Sequence, residues 1–104
     1  MTTSKPPRHF NQLAKRFPEY MNALERLGEC VKQAGPLDVK TAELIQLAGA
    51  AAMRSEGAVH SHCRRAKDAG ATREEIEHAL VLLTSTIGFP NVSAALTWAD
   101  DVLE

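Results

Sequence analysis

The sequence predicts an all-α fold, a single compact bundle of about six helices. From Phe10 onward, apolar residues recur at intervals of three and four, the period of a helix with one buried face. No segment alternates convincingly at the period of two that a half-buried strand requires. Breaks containing glycine and proline, Gly35-Pro36 and residues 88–90, stand where helices are expected to end.

Two helices are predicted before Gly35. The first is expected to end at Pro18, which also fits the first turn of a following helix, because a first-turn N–H has no partner within the helix. The second helix is expected to stop at Gly35-Pro36. Its apolar residues are Met21, Leu24, Leu27 and Val31.

Two more helices are predicted between Asp38 and Gly70. Asp38 is a favourable N-terminal cap for the third helix, which is expected to run toward Gly57. The fourth covers about residues 58–69 and ends at Gly70.

Thr72 and Glu75 predict the start of the fifth helix. They have the spacing of a capping box, in which each side chain bonds the backbone N–H of the other residue. This helix is expected to break at residues 88–90, and a sixth is expected from about Asn91 onward. The apolar residues of the fifth helix are Ile76, Ala79, Leu80 and Leu83.

The composition fits one domain, predicted over residues 9–104 after a mobile N-terminal tail of residues 1–8. Twelve basic residues nearly balance thirteen acidic ones, so the formal net charge of −1 attracts neither nucleic acid nor an anionic membrane. There is no signal-peptide core, and no apolar run reaches the roughly 20 residues that span a bilayer. We therefore expect a soluble cytoplasmic protein. Because alanine is abundant and only five residues are aromatic, the core should be small, which favours a homo-oligomer.

The stretch SEGAVHSHCRRA, residues 55–66, suggests a metal site at first sight. Residues two apart on a helix point about 200° apart, so His60 and His62 cannot face one ion. His60 and Cys63 share a helix face, but two ligands do not make a zinc site. No metal is expected here.

Thiol chemistry and DNA binding are the other interpretations of this region. Cys30 and Cys63 lie on different predicted helices, without the CxxC spacing of a redox pair, and Cys63 is expected to be buried and inert. Residues 65–80, RAKDAGATREEIEHAL, have loose helix-turn-helix spacing, but the second helix opens with glutamates that would repel phosphate. DNA binding therefore ranks last.

Three segments follow one another in an informative order: KTAELIQLAGAAAM at 40–53, HCRRAKDAGATREEIEHAL at 62–80 and TSTIGFPNVSAALTWADDVLE at 84–104. Together they resemble the carboxymuconolactone decarboxylase family, which includes the alkylhydroperoxidase D-like proteins. The resemblance covers about residues 17–104. It implies an alkylhydroperoxidase D-like helical fold and self-association, often as trimers or hexamers.

The redox branch of this family has a glutamate twelve residues before a CxxC motif, whose second cysteine lies four before a histidine. By the resemblance, the glutamate is Glu43 and the histidine is His62, while Ser55 and Ala58 occupy the cysteine positions. Alanine cannot attack a peroxide, and a serine without an adjacent base is a poor substitute. Peroxidase activity is therefore not expected.

The decarboxylase branch uses no CxxC, metal or organic cofactor. The resemblance thus implies a cofactor-free lyase acting on a small carboxylated lactone or similar ring, with His62 as general acid, since histidine exchanges protons near neutral pH. Glu43 would orient or charge the imidazole. Arg64 or Arg65 would hold a substrate carboxylate, an expectation from the chemistry of the guanidinium and not from a family motif. The alternative is a peroxidase-inactive member that acts as a binding or structural oligomer.

The spacing alone does not bring Glu43 and His62 together. In a straight hairpin turning near Gly57, Glu43 lies fourteen residues before the turn and His62 five after it. At a rise of about 1.5 Å per residue, the axial offset is roughly 13 Å. The pair is then expected to meet only if a helix bends or crosses steeply, or if another subunit completes it.

Overall fold

The computed structural model describes residues 8–103, which form six helices of nine residues or more, one four-residue helix and no strand. The predicted all-α fold of about six helices is confirmed. The predicted mobile tail lies outside the described residues except for Arg8, the first residue of the first helix. The helices are α1 (Arg8–Arg16), α2 (Pro18–Gln33), α3 (Val39–Ala52), α4 (Glu56–Asp68), α5 (Arg73–Val81), α6 (Thr84–Ile87) and α7 (Phe89–Asp100). None of them is long and apolar enough to cross a bilayer.

The chain divides into two compact units, whose described parts are residues 8–38 and 39–103. In the first, α1 packs against α2, and Pro18 occupies the first turn of α2 as predicted. The side chains of α2 include an apolar stripe that is 48–62 % exposed: Tyr20, Leu24, Leu27 and Val31.

The second unit contains a core built around α3 and α4. α3 packs chiefly against α4 and also contacts α5 and α7. Small residues of α3 and α4 alternate with larger ones there, so the helices approach closely and still enclose branched side chains. Among the described residues, the largest fully buried side chains are Leu47, Val59, Cys63, Ile76, Leu80 and Val92.

The capping box that starts α5 is present as predicted. Thr72 Oγ1 accepts from the N–H of Glu75 at 3.0 Å, and Glu75 Oε1 accepts from the N–H of Thr72 at 2.9 Å. The same carboxylate pairs with Lys40 Nζ at 3.1 Å, which links α3 to α5. These hydrogen bonds, first that from the Thr72 backbone and then that from Lys40, lower the pKa of Glu75.

The C-terminal end predicted for the fifth helix is wrong. It was expected to continue to residue 88, whereas α5 ends at Val81 and the separate short helix α6 begins at Thr84. Thr84 Oγ1 donates to the carbonyl of Val81 at 2.7 Å, so a side chain takes an acceptor that a continuous helix would use.

The last helix begins two residues earlier than predicted. α7 starts at Phe89 because Pro90 fits its first turn. Gly88 before it has φ 86° and ψ 152°, a conformation that favours glycine. At the other end, Arg73 of α5 donates to Asp100 Oδ1 at 3.0 Å and to the carbonyl of Leu103 at 3.0 Å.

Candidate functional site

The turn between α3 and α4 decides which residues of the two helices meet. It spans residues 53–55, earlier than the predicted turn near Gly57, which lies inside α4. Arg54 has a left-handed φ of 59°, and Ser55 caps α4 by accepting from the N–H of Ala58 at 3.3 Å. The sequence did contain this signal, because a serine followed by Glu56 is typical of a helix start.

The earlier turn removes the axial offset expected between the two predicted site residues. Glu43 lies nine residues before the last residue of α3, and His62 lies six residues after the first residue of α4. The remaining difference of three residues corresponds to about 4.5 Å along the helix axes. The expectation of a 13 Å offset was therefore wrong, because it placed the turn too late.

Glu43 and His62 meet within one chain. His62 Nδ1 lies 2.9 Å from Glu43 Oε1, with the glutamate side chain 3 % exposed and the histidine side chain 20 % exposed. Because an ionised carboxylate only accepts hydrogen bonds, the Nδ1–H group of His62 is the donor and Glu43 Oε1 is the acceptor. The other ring nitrogen, Nε2, has no protein hydrogen-bond partner within residues 8–103. The arrangement fixes the imidazole and leaves Nε2 for a ligand or water.

Gln46 lies on the same side of α3 as Glu43 and was not among the residues predicted for the site. It follows Glu43 by three residues in α3, so the two side chains project from one side of the helix. Its Oε1 is buried and has no hydrogen-bond partner within the described part of the chain. A buried acceptor without a donor is costly, which marks this atom as available to a ligand's O–H or N–H. Only its spacing from Glu43 could have suggested it.

The two predicted substrate-binding arginines lie on different faces of α4. Arg65 follows His62 by three residues and lies on the same face of α4 as His62. Arg64 follows His60 by four residues and lies on the same face as His60. Partial burial, followed by the charge of Arg65, lowers the pKa of Arg64. Arg65 is exposed.

The carboxymuconolactone decarboxylase family model matches residues 18–101, a range that contains α2 to α7 and the whole Glu43–His62 site. The chain belongs to this family. The family resemblance inferred from the sequence is thereby confirmed.

Two known proteins resemble this family member. The crystal structure of an apo carboxymuconolactone decarboxylase family protein from Legionella pneumophila superimposes with a TM-score of 0.76, at 28 % identity, covering 92 % of this chain and 88 % of that one. An uncharacterised protein from Haemophilus influenzae is 36 % identical over 64 residues, which is 62 % of this chain and 57 % of the relative. The match therefore spans little more than half of the Haemophilus protein.

The start of α4 holds Ser55 and Ala58, the residues that by the resemblance stand at the cysteine positions of the redox branch. Ser55 is the N-terminal cap, and Ala58 supplies the N–H that the cap accepts. The first turn of a helix stabilises a thiolate, but neither Ser55 nor Ala58 carries sulfur. The Ser55 hydroxyl instead acts as a structural hydrogen-bond acceptor.

The two cysteines differ in solvent exposure and are far apart in sequence. Cys30 is exposed and Cys63 is fully buried in the core. Burial raises the pKa of the Cys63 thiol to about 11, although the charge of Arg64 acts in the opposite direction. The predicted burial of Cys63 is confirmed, and its lack of reactivity stays a prediction.

His60 and His62 point to different helices, as predicted from their spacing. His60 Nε2 lies 3.0 Å from Asp101 Oδ2, beyond the end of α7, whereas His62 contacts α3. The contact of His60 with Asp101 was missed because Asp101 lies 41 residues away in sequence.

A separate apolar recess of about 360 Å³ opens on another flank of α3. Apolar side chains of α3, α5 and the following turn form most of its wall, and neither Glu43 nor His62 lines it. Its lining residues are Thr41, Leu44, Ile45, Ala48, Glu75, His78, Ala79, Leu82 and Leu83.

Proposed function

We propose that this protein is a cofactor-free lyase that decarboxylates a small carboxylated lactone or a similar ring, with His62 as the general acid. The observation that carries the proposal is the 2.9 Å bond between His62 Nδ1 and the buried Glu43 carboxylate. A buried carboxylate at Nδ1 fixes the orientation and tautomer of the ring, and in the proposed mechanism the Nε2–H of the protonated ring is the proton donor. Family membership favours the same class of reaction.

The proposed step needs one proton and no external electrons. The bond between the ring carbon and the carboxylate breaks, CO₂ leaves, and its bonding pair enters a dienolate stabilised by the lactone carbonyl. The His62 imidazolium then donates its Nε2 proton to carbon and becomes neutral. Water returns a proton to the imidazole, and Glu43 stays ionised throughout.

Arg65 and Gln46 are the proposed binding residues beside His62. Arg65 shares the His62 face of α4, and a guanidinium binds carboxylates in a bidentate manner. Arg64 is the weaker candidate because it shares the face of His60. Gln46 Oε1, buried and without a donor, would accept a hydrogen bond from the ring substituents.

The test is to incubate the protein with carboxymuconolactone and follow the loss of ultraviolet absorbance. In D₂O, the product should carry one deuterium at a carbon of the former dienolate, counted by mass spectrometry and located by NMR. His62→Ala should lower kcat at least a hundredfold, since a positioned general acid contributes about 10²–10⁴ in rate. Arg65→Ala should mainly raise KM.

His9→Ala is the matched control, because His9 is an exposed histidine of α1. Its activity should equal that of the unmodified protein. Absence of turnover, or turnover that His62→Ala leaves unchanged, would contradict the proposal.

The alternative function is a peroxidase-inactive binding or structural homo-oligomer. The apolar stripe of α2 favours it: Tyr20, Leu24, Leu27 and Val31 are separated by four, three and four residues, the spacing with which helices pack against a second copy. Self-association would bury this stripe, whether or not the site is catalytic.

Light scattering after size-exclusion chromatography tests the association. Leu24→Glu together with Leu27→Glu should lower the assembly's mass, whereas Asn22→Glu, which adds a charge to α2 outside the stripe, should not. A monomeric unmodified protein would refute self-association. Peroxide consumption that disappears in a Cys63→Ser variant would contradict the expected lack of peroxidase activity.

A further inference from the structure

Glu56, His60 and Asp101 form a compact cluster of potential metal ligands on the opposite side of α4 from the Glu43–His62 pair. One ligand atom from each residue lies within 4.8 Å of the other two. His60 Nε2 is central, 3.0 Å from Asp101 Oδ2 and 3.9 Å from Glu56 Oε2. We propose that these three residues bind a divalent cation of the first transition-metal row, and that Zn²⁺ fits them best.

The distances are close to those that a bound ion requires. Nitrogen and oxygen ligands bind Zn²⁺ at about 2.0–2.2 Å, so two ligands of a tetrahedral ion stand about 3.3–3.6 Å apart. The 3.0 Å and 3.9 Å separations bracket this range, and rotation of the exposed carboxylates is enough to reach it. The cluster lies between two helices, because Glu56 and His60 are one turn apart on α4 and Asp101 follows α7.

The chemistry of the three ligands selects the class of ion. A neutral imidazole and two carboxylates carry a charge of −2, which matches a divalent cation. The imidazole nitrogen favours Zn²⁺ and its neighbours in the transition series over Mg²⁺ and Ca²⁺, which prefer oxygen ligands. The side chains of Glu56 and Asp101 are more than half exposed, which leaves room for water in the remaining coordination positions.

Two features set the expected strength of binding. Arg64 lies one turn beyond His60 on the same face, so its charge opposes a nearby cation. The site is also open to solvent, unlike a closed four-ligand structural zinc site. Micromolar affinity is therefore expected, and the bound ion would link α4 to the end of α7.

A protonated His60 bridging the two carboxylates is the competing interpretation of the same distances. That ion pair needs no metal, and it predicts no saturable cation binding at this cluster. A measurement of cation binding, which does not involve catalysis, therefore distinguishes the two interpretations.

The experiment is calorimetric titration of chelator-treated full-length protein with ZnSO₄ at pH 7, and with CaCl₂ in parallel. A Cys30→Ser background removes the exposed thiol, which can bind zinc itself. We expect one Zn²⁺ per chain, with Ca²⁺ bound at least tenfold more weakly. In this background, His60→Ala and Asp101→Asn should each weaken Zn²⁺ binding at least tenfold, and His9→Ala should leave it unchanged.

Asp101→Asn keeps the size of the side chain, so it reports on binding if His60→Ala folds poorly. Circular dichroism at 222 nm establishes which variants are folded. Absence of a saturable site, or a site whose affinity neither His60→Ala nor Asp101→Asn changes, would overturn the proposal.

Discussion

Removing the His62 side chain should destabilise the fold by about 2 kcal/mol. Net hydrogen bonds to charged groups contribute about 1.5–3 kcal/mol, and His62→Ala removes a donor from the Glu43 carboxylate, which is almost fully buried. Because His62 is one-fifth exposed, water can partly replace the imidazole, which places the expected loss toward the lower part of that range. A change of this size corresponds to a fall in Tm of roughly 10 °C for a chain of about this length.

A double-mutant cycle tests the bond itself. Urea unfolding, followed by circular dichroism at one protein concentration, gives the free energy of unfolding for the unmodified protein, His62→Ala, Glu43→Gln and the double variant. The loss of unfolding free energy in the double variant should be smaller, by at least about 1 kcal/mol, than the sum of the losses in the two single variants. The reason is that, once the histidine is absent, a buried neutral amide at position 43 destabilises the fold less than a buried carboxylate. His9→Ala should lie within about 0.5 kcal/mol of the unmodified protein. Additive effects, or a His62→Ala variant within that margin, would refute the coupling.

Three further predictions concern the fold. Ser55→Ala should lose about 1 kcal/mol of unfolding free energy, measured in urea, whereas Ser55→Asp keeps a capping oxygen and should lose less. Gly49→Ala should raise Tm, since nothing lies within 4 Å of the added Cβ in mid-helix, whereas Gly88→Ala should lower it because φ there is 86°. With a thiol reagent at pH 8, Cys30 should react rapidly and Cys63 at least about a hundredfold more slowly, because burial raises the pKa of Cys63 to about 11. Unfolding the chain in urea should remove this difference. Equal rates in the folded protein would refute the burial.

Local patterns predicted the helices well and their boundaries less well. The Thr72–Glu75 box and the Pro18 start are short-range features, so the sequence is enough to place them. The end of α5 depends on the competition between the Thr84 hydroxyl and the helical backbone, and periodicity does not detect that competition.

The Glu43–His62 pair was predictable in its two members but not in its geometry. Glu43 and His62 followed from the family resemblance. Their contact depends on a turn centred on Arg54, three residues before the predicted turn at Gly57. An error of three residues in a turn changes the facing positions of two antiparallel helices by several ångströms. Gln46 and Asp101 were missed because burial and tertiary contact, which no local pattern encodes, distinguish them.

The two histidines of α4 close loops of very different length. The contact of His62 with Glu43 spans 19 residues, whereas that of His60 with Asp101 spans 41. Shorter loops lose less entropy on closure, so the α3–α4 hairpin can form during synthesis while α7 is still inside the ribosome. A nascent chain ending after α4 already holds the complete imidazole–carboxylate pair, but not the helices that cover its core. Pulse-labelled hydrogen exchange during refolding would show α3 and α4 protected before α7 if this order holds, and simultaneous protection would exclude it.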